Sequence, residues 1–263
     1  MALEDNLIEP ARMIVEEVES LTGKPVEILE FLKLETPAAT DPGFGEADQR
    51  HLIKIKAETS YLLQYYVVHE CLHLLRLAAT EPEKRKRIVV PHDEAIRGLE
   101  ALFGKTGWEG LEPQIVENRK TVFTDIVIKL TSGVQDLWVE ETVLERYAGT
   151  QITEEQVKVG GFWRSESEET IGQATANALG QRAFEVINAM NWAKYELIRN
   201  KVIEFPKAVL LEYKKHPTIV SKGQRLIRAS RKAKPRDYGE DVELTDIWAE
   251  ILGIGRCYCW VDF

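Results

Sequence analysis

The chain has few cysteines, histidines and methionines, and it has no long apolar run. Its 263 residues include 3 Cys, 5 His and 3 Met. Three cysteines exclude a disulfide framework of the kind that holds small secreted domains together. No apolar run approaches the roughly 20 residues that a membrane-spanning helix needs, and the N-terminal sequence lacks the basic and apolar regions of a secretory signal. We therefore expect a cytoplasmic protein with no membrane partner.

Acidic residues outnumber basic ones, and the rest of the composition is that of an ordinary soluble protein. The chain has 43 Asp and Glu against 34 Lys and Arg, a net charge of −9, and 44% hydrophobic residues. A chain of this length and composition can bury one large core or two modest ones.

Two of the few histidines lie four residues apart inside an apolar stretch. His69-Glu70-Cys71-Leu72-His73 forms the pattern H-E-x-x-H within residues 61–77. A helix turns by about 100° per residue, so both imidazoles point into the same space and can share one Zn²⁺. The stretch is apolar almost all round, which predicts a buried helix, where polar side chains are costly without a compensating partner. The pattern predicts a zinc site; a hydrogen-bonded pair of core histidines is the alternative.

The middle of the motif predicts one catalytic and one structural residue. Glu70 lies about 60° beyond His73 around the helix, too far to be an obvious third ligand. It is near enough to hold a water molecule that is bound to the ion. Zinc lowers the pKa of such a water to about 7, and Glu70 can take the proton of that water as the water attacks a carbonyl. We therefore predict His69 and His73 as ligands and Glu70 as the catalytic base. Cys71 points to the opposite side and is predicted to be a core residue.

A zinc site of this kind needs a third protein ligand, and a later segment is the best source. Ser132 and Gln135 form a capping-box pattern and Gly149 is a natural stop, which predicts a helix of about four turns. Two acids, Asp136 and Glu140, fall one turn apart within its apolar arc.

The two acids have different predicted roles. Glu140 lies near the middle of the arc and is predicted to be the third ligand, while Asp136 is predicted to orient a ligand histidine from behind. The alternative is that both face a polar groove or pair with an arginine such as Arg146 or Arg119.

The residues before the motif predict a helix followed by a small sheet. Residues 10–21 have helical spacing, with Gly23 as the stop. Residues 26–34 and 51–57 have strand patterns, and the second alternates like an edge or half-exposed strand. The segment between them, residues 37–45, is rich in turn-forming residues and predicts a flexible loop.

This order of helix, strand, strand and H-E-x-x-H helix resembles the zincin metallopeptidases whose third ligand is a glutamate on a later helix, and it is nearest to the ImmA/IrrE-like peptidases. The resemblance covers roughly residues 10–150. It implies a zinc-dependent hydrolase that cuts a peptide bond in a protein or peptide substrate. Many members of the family have a glycine where this chain has Leu72.

In such enzymes the strand before the metal helix binds the substrate backbone as an additional strand. The resemblance assigns that role to Leu52, Ile53, Lys54, Ile55 and Lys56.

The predicted fold class is α+β, with two domains. Residues 1–150 form a zincin-like domain with a small sheet and the buried H-E-x-x-H helix, and residues 151–263 form a mainly helical region with a short terminal strand. The helical pattern over residues 170–200 is rich in small residues, which permits close packing against a neighbour or a second subunit. Cys257 and Cys259 are expected to share one face of the terminal strand.

Basic residues concentrate near the C-terminus although the chain is acidic. They are Lys214, Lys215, Lys222, Arg225, Arg228, Arg231, Lys232, Lys234 and Arg236. A basic helical face binds nucleic acid phosphates or an acidic partner, but it is more often a solvated surface. Two functions therefore stay open: a zinc peptidase, which the motif favours, and a regulatory protein that binds nucleic acid or a partner through these helices.

Overall fold

The structure is a computed structural model that describes residues 3–45, 47–104, 113–172, 181–198, 207–235, 237–255 and 257–263. Its helices are α1 (Glu9–Thr22), α2 (Leu63–Ala78), α3 (His92–Phe103), α4 (Pro113–Arg146), α5 (Gln151–Gly172), α6 (Gln181–Ile198), α7 (Lys207–Lys214), α8 (Pro217–Ala233) and α9 (Tyr238–Leu252). Its strands are β1 (Val26–Phe31), β2 (Ala38–Asp41), β3 (His51–Lys56), β4 (Lys86–Val89) and β5 (Cys259–Asp262). The predicted mixture of helix and strand, with a small sheet and a mainly helical C-terminal half, is confirmed.

The N-terminal helix begins and ends where the sequence predicts. Pro10 occupies the first turn of α1, where its missing N–H costs no helical hydrogen bond. Gly23 ends the helix with a φ of 69°, a left-handed conformation that glycine adopts without strain. The buried face of α1, which includes Ile14 and Val18, packs against α2.

The first sheet has the strand order β1-β3-β2. β1 is parallel to β3, with Val26 opposite His51, and β2 is antiparallel to β3, with Thr40 opposite Ile53. β3 is therefore the central strand, so of the two predicted alternatives the edge strand is wrong and the half-exposed strand is confirmed. Buried and partly exposed side chains alternate along β3 because only one face of the sheet is buried, not because one edge of the strand is open.

The predicted loop at residues 37–45 contains β2. The Ala-Ala-Thr-Asp sequence of this strand has little β-propensity of its own, so pairing with β3 determines its conformation.

The helix with the H-E-x-x-H motif is buried as predicted. Every residue from Leu63 to Leu72 is buried. The start of α2 is held by side chains from other elements, because Oε2 of Glu155 accepts the amide N–H of Tyr65 at 2.9 Å. The side chain of Gln64 accepts the N–H of Ile8 at 2.9 Å and donates to the carbonyl of Asn6 at 3.0 Å. These contacts fix where α2 begins and thereby where its histidines point.

The helix with the two acids is longer than predicted. α4 begins at Pro113, so Ser132 lies inside the helix and its capping-box pattern does not mark a start. The sequence between them contains no proline or other strong breaker that would end a helix. α4 ends at Arg146, close to the predicted stop at Gly149.

Contacts within the chain define two units. One contains residues 1–85, 138–160 and 263, and the other contains residues 86–137 and 161–262. The chain passes between the units inside α4 and inside α5. This division differs from the single boundary predicted at residue 150, because the local sequence pattern does not show that residues 138–160 belong with residues 1–85.

The second unit contains a two-stranded antiparallel sheet and most of the C-terminal helices. β5 pairs with β4, so the predicted terminal strand is confirmed. Cys257 precedes β5 and is buried, whereas Cys259 is exposed, so the expectation of a shared face is wrong. The described parts of the predicted helix over residues 170–200 belong to the end of α5 and to α6. Most of the small residues of that predicted helix are in residues 173–180, which lie outside the described residues.

Among the described residues, no helix combines the length and the apolar character that crossing a membrane requires.

Candidate metal centre

The two histidines of the motif face each other. His69 Nε2 lies 3.1 Å from His73 Nε2, and the ring centroids are 4.8 Å apart. Zn–N distances of about 2.0–2.1 Å in a tetrahedral site put two nitrogen ligands about 3.3 Å apart. The observed separation therefore fits two imidazoles that share one ion. It also fits an N–H···N hydrogen bond, which is the core-pair alternative.

Glu140 reaches His69 from the other side of the ring. Its side chain is 0% exposed, and Oε1 lies 3.2 Å from His69 Nδ1. The hydroxyl of Tyr65 donates to the same oxygen at 2.6 Å and lies 3.1 Å from His69 Nδ1. The side-chain amide of Gln156 donates to Oε2 at 2.7 Å. Both carboxylate oxygens of Glu140 are thus engaged with protein groups.

Asp136 lies one turn before Glu140 on α4 and is 8% exposed. It belongs to the second unit, whereas His69, His73 and Glu140 belong to the first. Its role in orienting a ligand histidine stays a prediction.

Asp136 also has a basic partner that the sequence did not predict. Lys194 Nζ lies 2.7 Å from Asp136 Oδ2 and 4.3 Å from the centroid of the Trp163 ring. Lys194 is distant in sequence and lies in an ordinary helical pattern, so nothing local marks it as a partner. The predicted alternative of pairing with Arg146 is wrong, because Arg146 binds Glu17. The side chain of Arg119 lies outside the described residues.

Glu70 is held by the edge strand of the sheet. Its side chain is almost fully buried, and Oε2 accepts a hydrogen bond from the hydroxyl of Thr40 at 2.6 Å. Thr40 lies on β2, so this bond connects the sheet to the motif helix. The role of Glu70 as base stays a prediction.

The predicted substrate strand is fully paired. β3 has β1 on one side and β2 on the other, so Leu52, Ile53, Lys54, Ile55 and Lys56 have no open edge to which a substrate strand could add. Ile53 and Ile55 are in the core, while Lys54 pairs with Asp41 and Lys56 pairs with Glu58. Strand addition at β3 is therefore contradicted by the sheet order.

Burial determines the protonation of two groups next to the motif. It raises the pKa of the Tyr66 hydroxyl, and electrostatic repulsion from Tyr61, Glu140 and Glu70 raises it further. Burial also raises the pKa of the Cys71 thiol, which is 0% exposed. Cys71 is thus a protonated core residue, as predicted.

Three residues that the sequence analysis did not single out contact the candidate site: Tyr65 contacts His69, Thr40 contacts Glu70, and Gln156 contacts Glu140. Tyr65 was within reach of sequence reasoning, because it lies four residues before His69 and so on the same face of the helix. Thr40 and Gln156 are brought in by tertiary structure and have no comparable signal.

Comparison of the chain with protein-family models, with curated proteins and with solved structures found no match. The resemblance to zincin peptidases stays a prediction from the motif and the order of elements.

Proposed function

We propose that the protein is a zinc-dependent metallopeptidase that hydrolyses a peptide bond in a protein substrate. The observation that carries the proposal is the facing pair of His69 and His73 Nε2 atoms, 3.1 Å apart, on a buried helix. Two buried carboxylates, those of Glu70 and Glu140, lie in the same unit as the pair. Such a concentration of buried acids and imidazoles is costly unless a cation balances it.

Each side chain has a defined task in this proposal. Bound Zn²⁺ would polarise the scissile carbonyl and make water acidic. Glu70 takes the proton of the attacking water as the new C–O bond forms, and it delivers that proton to the amine as the C–N bond breaks. Thr40 holds Oε2 of Glu70, which leaves Oε1 to carry the proton.

The edge of β2 is the proposed site for the substrate backbone. Among the described residues, β2 pairs with β3 alone. The amide of Lys56 donates to the carbonyl of Pro37 at 2.9 Å, so these two residues form a hydrogen-bonded pair. Hydrogen-bonded and non-hydrogen-bonded pairs alternate along an antiparallel ladder, so the main-chain N–H and C=O groups of Ala38 and Thr40 point away from β3. An extended peptide could form hydrogen bonds with these groups and so lie beside β2, the strand whose Thr40 binds Glu70.

Metal analysis and one substitution test this function. We expect about one zinc per chain by elemental analysis. Glu70→Gln should keep that zinc and lose a factor of about 10² to 10⁴ in cleavage of a peptide library, read as new termini by mass spectrometry. A parent protein that takes up no metal on soaking contradicts the proposal, as does a Glu70→Gln variant that cleaves the library as the parent does.

A second function, binding of nucleic acid phosphates, is favoured by the charge of α8. The sequence of α8 contains no Asp or Glu, and Arg225, Arg228 and Lys232 are exposed along one stripe of the helix. Leu226 and Ile227 are buried on the other side, so the helix has no free apolar face for a membrane.

Binding of a fluorescent DNA duplex at several salt concentrations tests this second function. We expect the affinity for DNA to fall steeply as the salt concentration rises. We also expect binding to be lost in a variant that combines Arg225→Gln, Arg228→Gln and Lys232→Gln. Equal binding by parent and variant contradicts this second function and leaves a solvated surface.

A further inference from the structure

We propose, on the basis of the zinc site of the proposed function, that Tyr65 and Glu140 are positioning residues that preset the ring of His69 for metal binding. Together they keep the ring proton on Nδ1 in the metal-free protein. The lone pair of Nε2 then faces His73 and is ready to bind an ion. All four residues belong to the unit that contains residues 1–85 and 138–160.

The tyrosine is fixed beside the histidine at two points. Tyr65 lies four residues before His69, so their side chains share one side of α2, and the ring centroids are 5.4 Å apart. Tyr65 is 1% exposed, and its main-chain N–H donates to Oε2 of Glu155 at 2.9 Å. Its hydroxyl is bound as well, to Oε1 of Glu140. The hydroxyl therefore stays at the Nδ1 edge of the imidazole.

The distances around Nδ1 of His69 determine where the protons are. The Tyr65 hydroxyl has one proton, and it donates that proton to Glu140 Oε1 at 2.6 Å. The hydroxyl oxygen then offers only lone pairs to Nδ1 at 3.1 Å, and Oε1 does the same at 3.2 Å. A bare Nδ1 would face two acceptors. Nδ1 therefore carries the ring proton, and the lone pair of the neutral imidazole is on Nε2.

The carboxylate of Glu140 is itself fixed in this position. Glu140 is 0% exposed, and the side-chain amide of Gln156 donates to its Oε2 at 2.7 Å and to its main-chain carbonyl at 3.0 Å. His69 Nε2, which lies 3.1 Å from His73 Nε2, is on a different edge of the ring from Nδ1. Glu140 therefore acts on an ion at Nε2 through the imidazole, and a carboxylate that accepts from the other ring nitrogen makes a histidine a stronger ligand.

The tautomer of His69 in the metal-free, full-length protein tests this inference directly. The chain has only 5 His, so ¹⁵N-labelled histidine gives few signals, and the His69→Gln variant identifies those of His69. Long-range ¹H–¹⁵N spectra at about pH 8, where histidine is ordinarily neutral, distinguish a protonated ring nitrogen from a bare one. We expect Nδ1 to be protonated and Nε2 to be bare. On addition of Zn²⁺ the Nε2 signal should shift while Nδ1 keeps its proton.

Three variants separate positioning from packing. Glu140→Gln places an amide that can donate at Nδ1, so part of the His69 population should move its proton to Nε2, and Zn²⁺ affinity should fall by about 10- to 100-fold. Tyr65→Phe keeps the carboxylate and should keep the tautomer, with a smaller loss of affinity because Glu140 has one donor fewer. Tyr66→Phe, whose ring lies 5.2 Å from that of Tyr65, is the matched control and should leave tautomer and affinity unchanged.

The outcomes for this inference and for the proposed function differ. A parent protein that binds Zn²⁺ but has the His69 proton on Nε2 in its metal-free state overturns this inference alone, as does a Glu140→Gln variant with the tautomer and affinity of the parent. A parent protein that binds no Zn²⁺ overturns both. Far-ultraviolet circular dichroism establishes that each metal-free variant is folded. If Glu140→Gln does not fold, the parent tautomer and the affinity of Tyr65→Phe relative to Tyr66→Phe decide, and equal affinities count against the inference.

Discussion

The hydroxyl of Thr40 donates a hydrogen bond to the carboxylate of Glu70 at 2.6 Å. Thr40 belongs to the short strand β2 and Glu70 to the buried helix α2, so a single bond connects the edge of the sheet to the proposed catalytic base. A bond of this kind to a charged group contributes more than one between neutral groups.

Loss of this bond should impair catalysis without loss of metal. Thr40→Val keeps the shape of the side chain and removes the donor, so we expect about tenfold lower kcat, because Glu70 is no longer fixed. Thr40→Ser keeps the hydroxyl and should stay near the parent. Elemental analysis and cleavage rates measure both effects. Equal kcat in the Val and Ser variants would show that the bond has no part in the reaction.

A proline on β2 should affect substrate binding more than catalysis. Ala38→Pro removes an amide N–H that points away from β3, so the sheet stays intact while one proposed hydrogen bond to substrate is lost. We expect a several-fold higher KM with little change in kcat. Ala38→Val, which keeps the N–H, is the control. If both variants have the KM of the parent, the substrate does not add to this edge.

His51 should make stability depend on pH. Its Nδ1 accepts the amide N–H of Gly43 at 3.0 Å, and Nε2 lies 3.0 Å from the Thr22 hydroxyl. Burial, and then the charge of Lys24, lower the pKa of His51, while Asp48 opposes this shift. Below about pH 6.5 the unfolded chain then binds more protons than the folded chain. The stability that neutral His51 contributes is therefore complete above about pH 6.5. It is lost as the pH falls from that value to the pKa of His51 in the folded protein.

His51→Gln removes this titration. Between pH 7.5 and about 5 the free energy of unfolding of the parent should fall more than that of the variant, by about 1.4 kcal/mol per unit of lowered pKa. Urea unfolding with a chelator present measures the difference, since His69 and His73 then contribute equally to both proteins. Parallel pH profiles would contradict the prediction.

Two helical glycines should respond in opposite ways to alanine. A Cβ at Gly223 would lie 2.3 Å from Cδ1 of Trp192, so Gly223→Ala should destabilise the protein by about 1–3 kcal/mol. At Gly133 the nearest atom, on Trp248, would be 4.0 Å away. Gly133→Ala should therefore be neutral or stabilising by up to about 1 kcal/mol, because alanine favours helix. Thermal unfolding compares the two, and equal melting temperatures would show that Trp192 moves aside at no cost.

Only one of the three cysteines should react with a thiol reagent in the folded protein. Cys259 is exposed, whereas Cys71 and Cys257 are buried and burial raises the pKa of both thiols. Maleimide labelling followed by peptide mass spectrometry should find the label on Cys259, and on all three only after unfolding. Rapid labelling of Cys71 in the native state would contradict its place in the core.

Elements with a strong local pattern were predictable, and those that depend on distant partners were not. α1 follows from helical spacing with clear ends, α2 from its long apolar stretch, and β1 and β3 from apolar strand residues. β2 has a weak strand pattern and forms because β3 pairs with it. For the same reason β2, and not β3, has the open edge that the sequence analysis expected for substrate.

The site divides in the same way. The spacing of His69 and His73 fixes their mutual placement within one helix, so sequence sufficed. The partners of the two α4 acids come from distant segments: Lys194 binds Asp136, and Tyr65, His69 and Gln156 contact Glu140. The sequence therefore indicated that both acids are buried, but it did not indicate which groups each one contacts.

The passage of α5 from one unit to the other has a practical consequence for any attempt to isolate the motif-bearing part of the protein. A fragment cut after residue 150 would retain H-E-x-x-H yet lose Glu155, which accepts the amide of Tyr65, and Gln156, which donates to Glu140. The opening turn of α2 and the buried carboxylate of Glu140 would each lose one hydrogen-bond partner. The first ten residues of α5 thus belong with the histidines, although they follow them by some eighty positions.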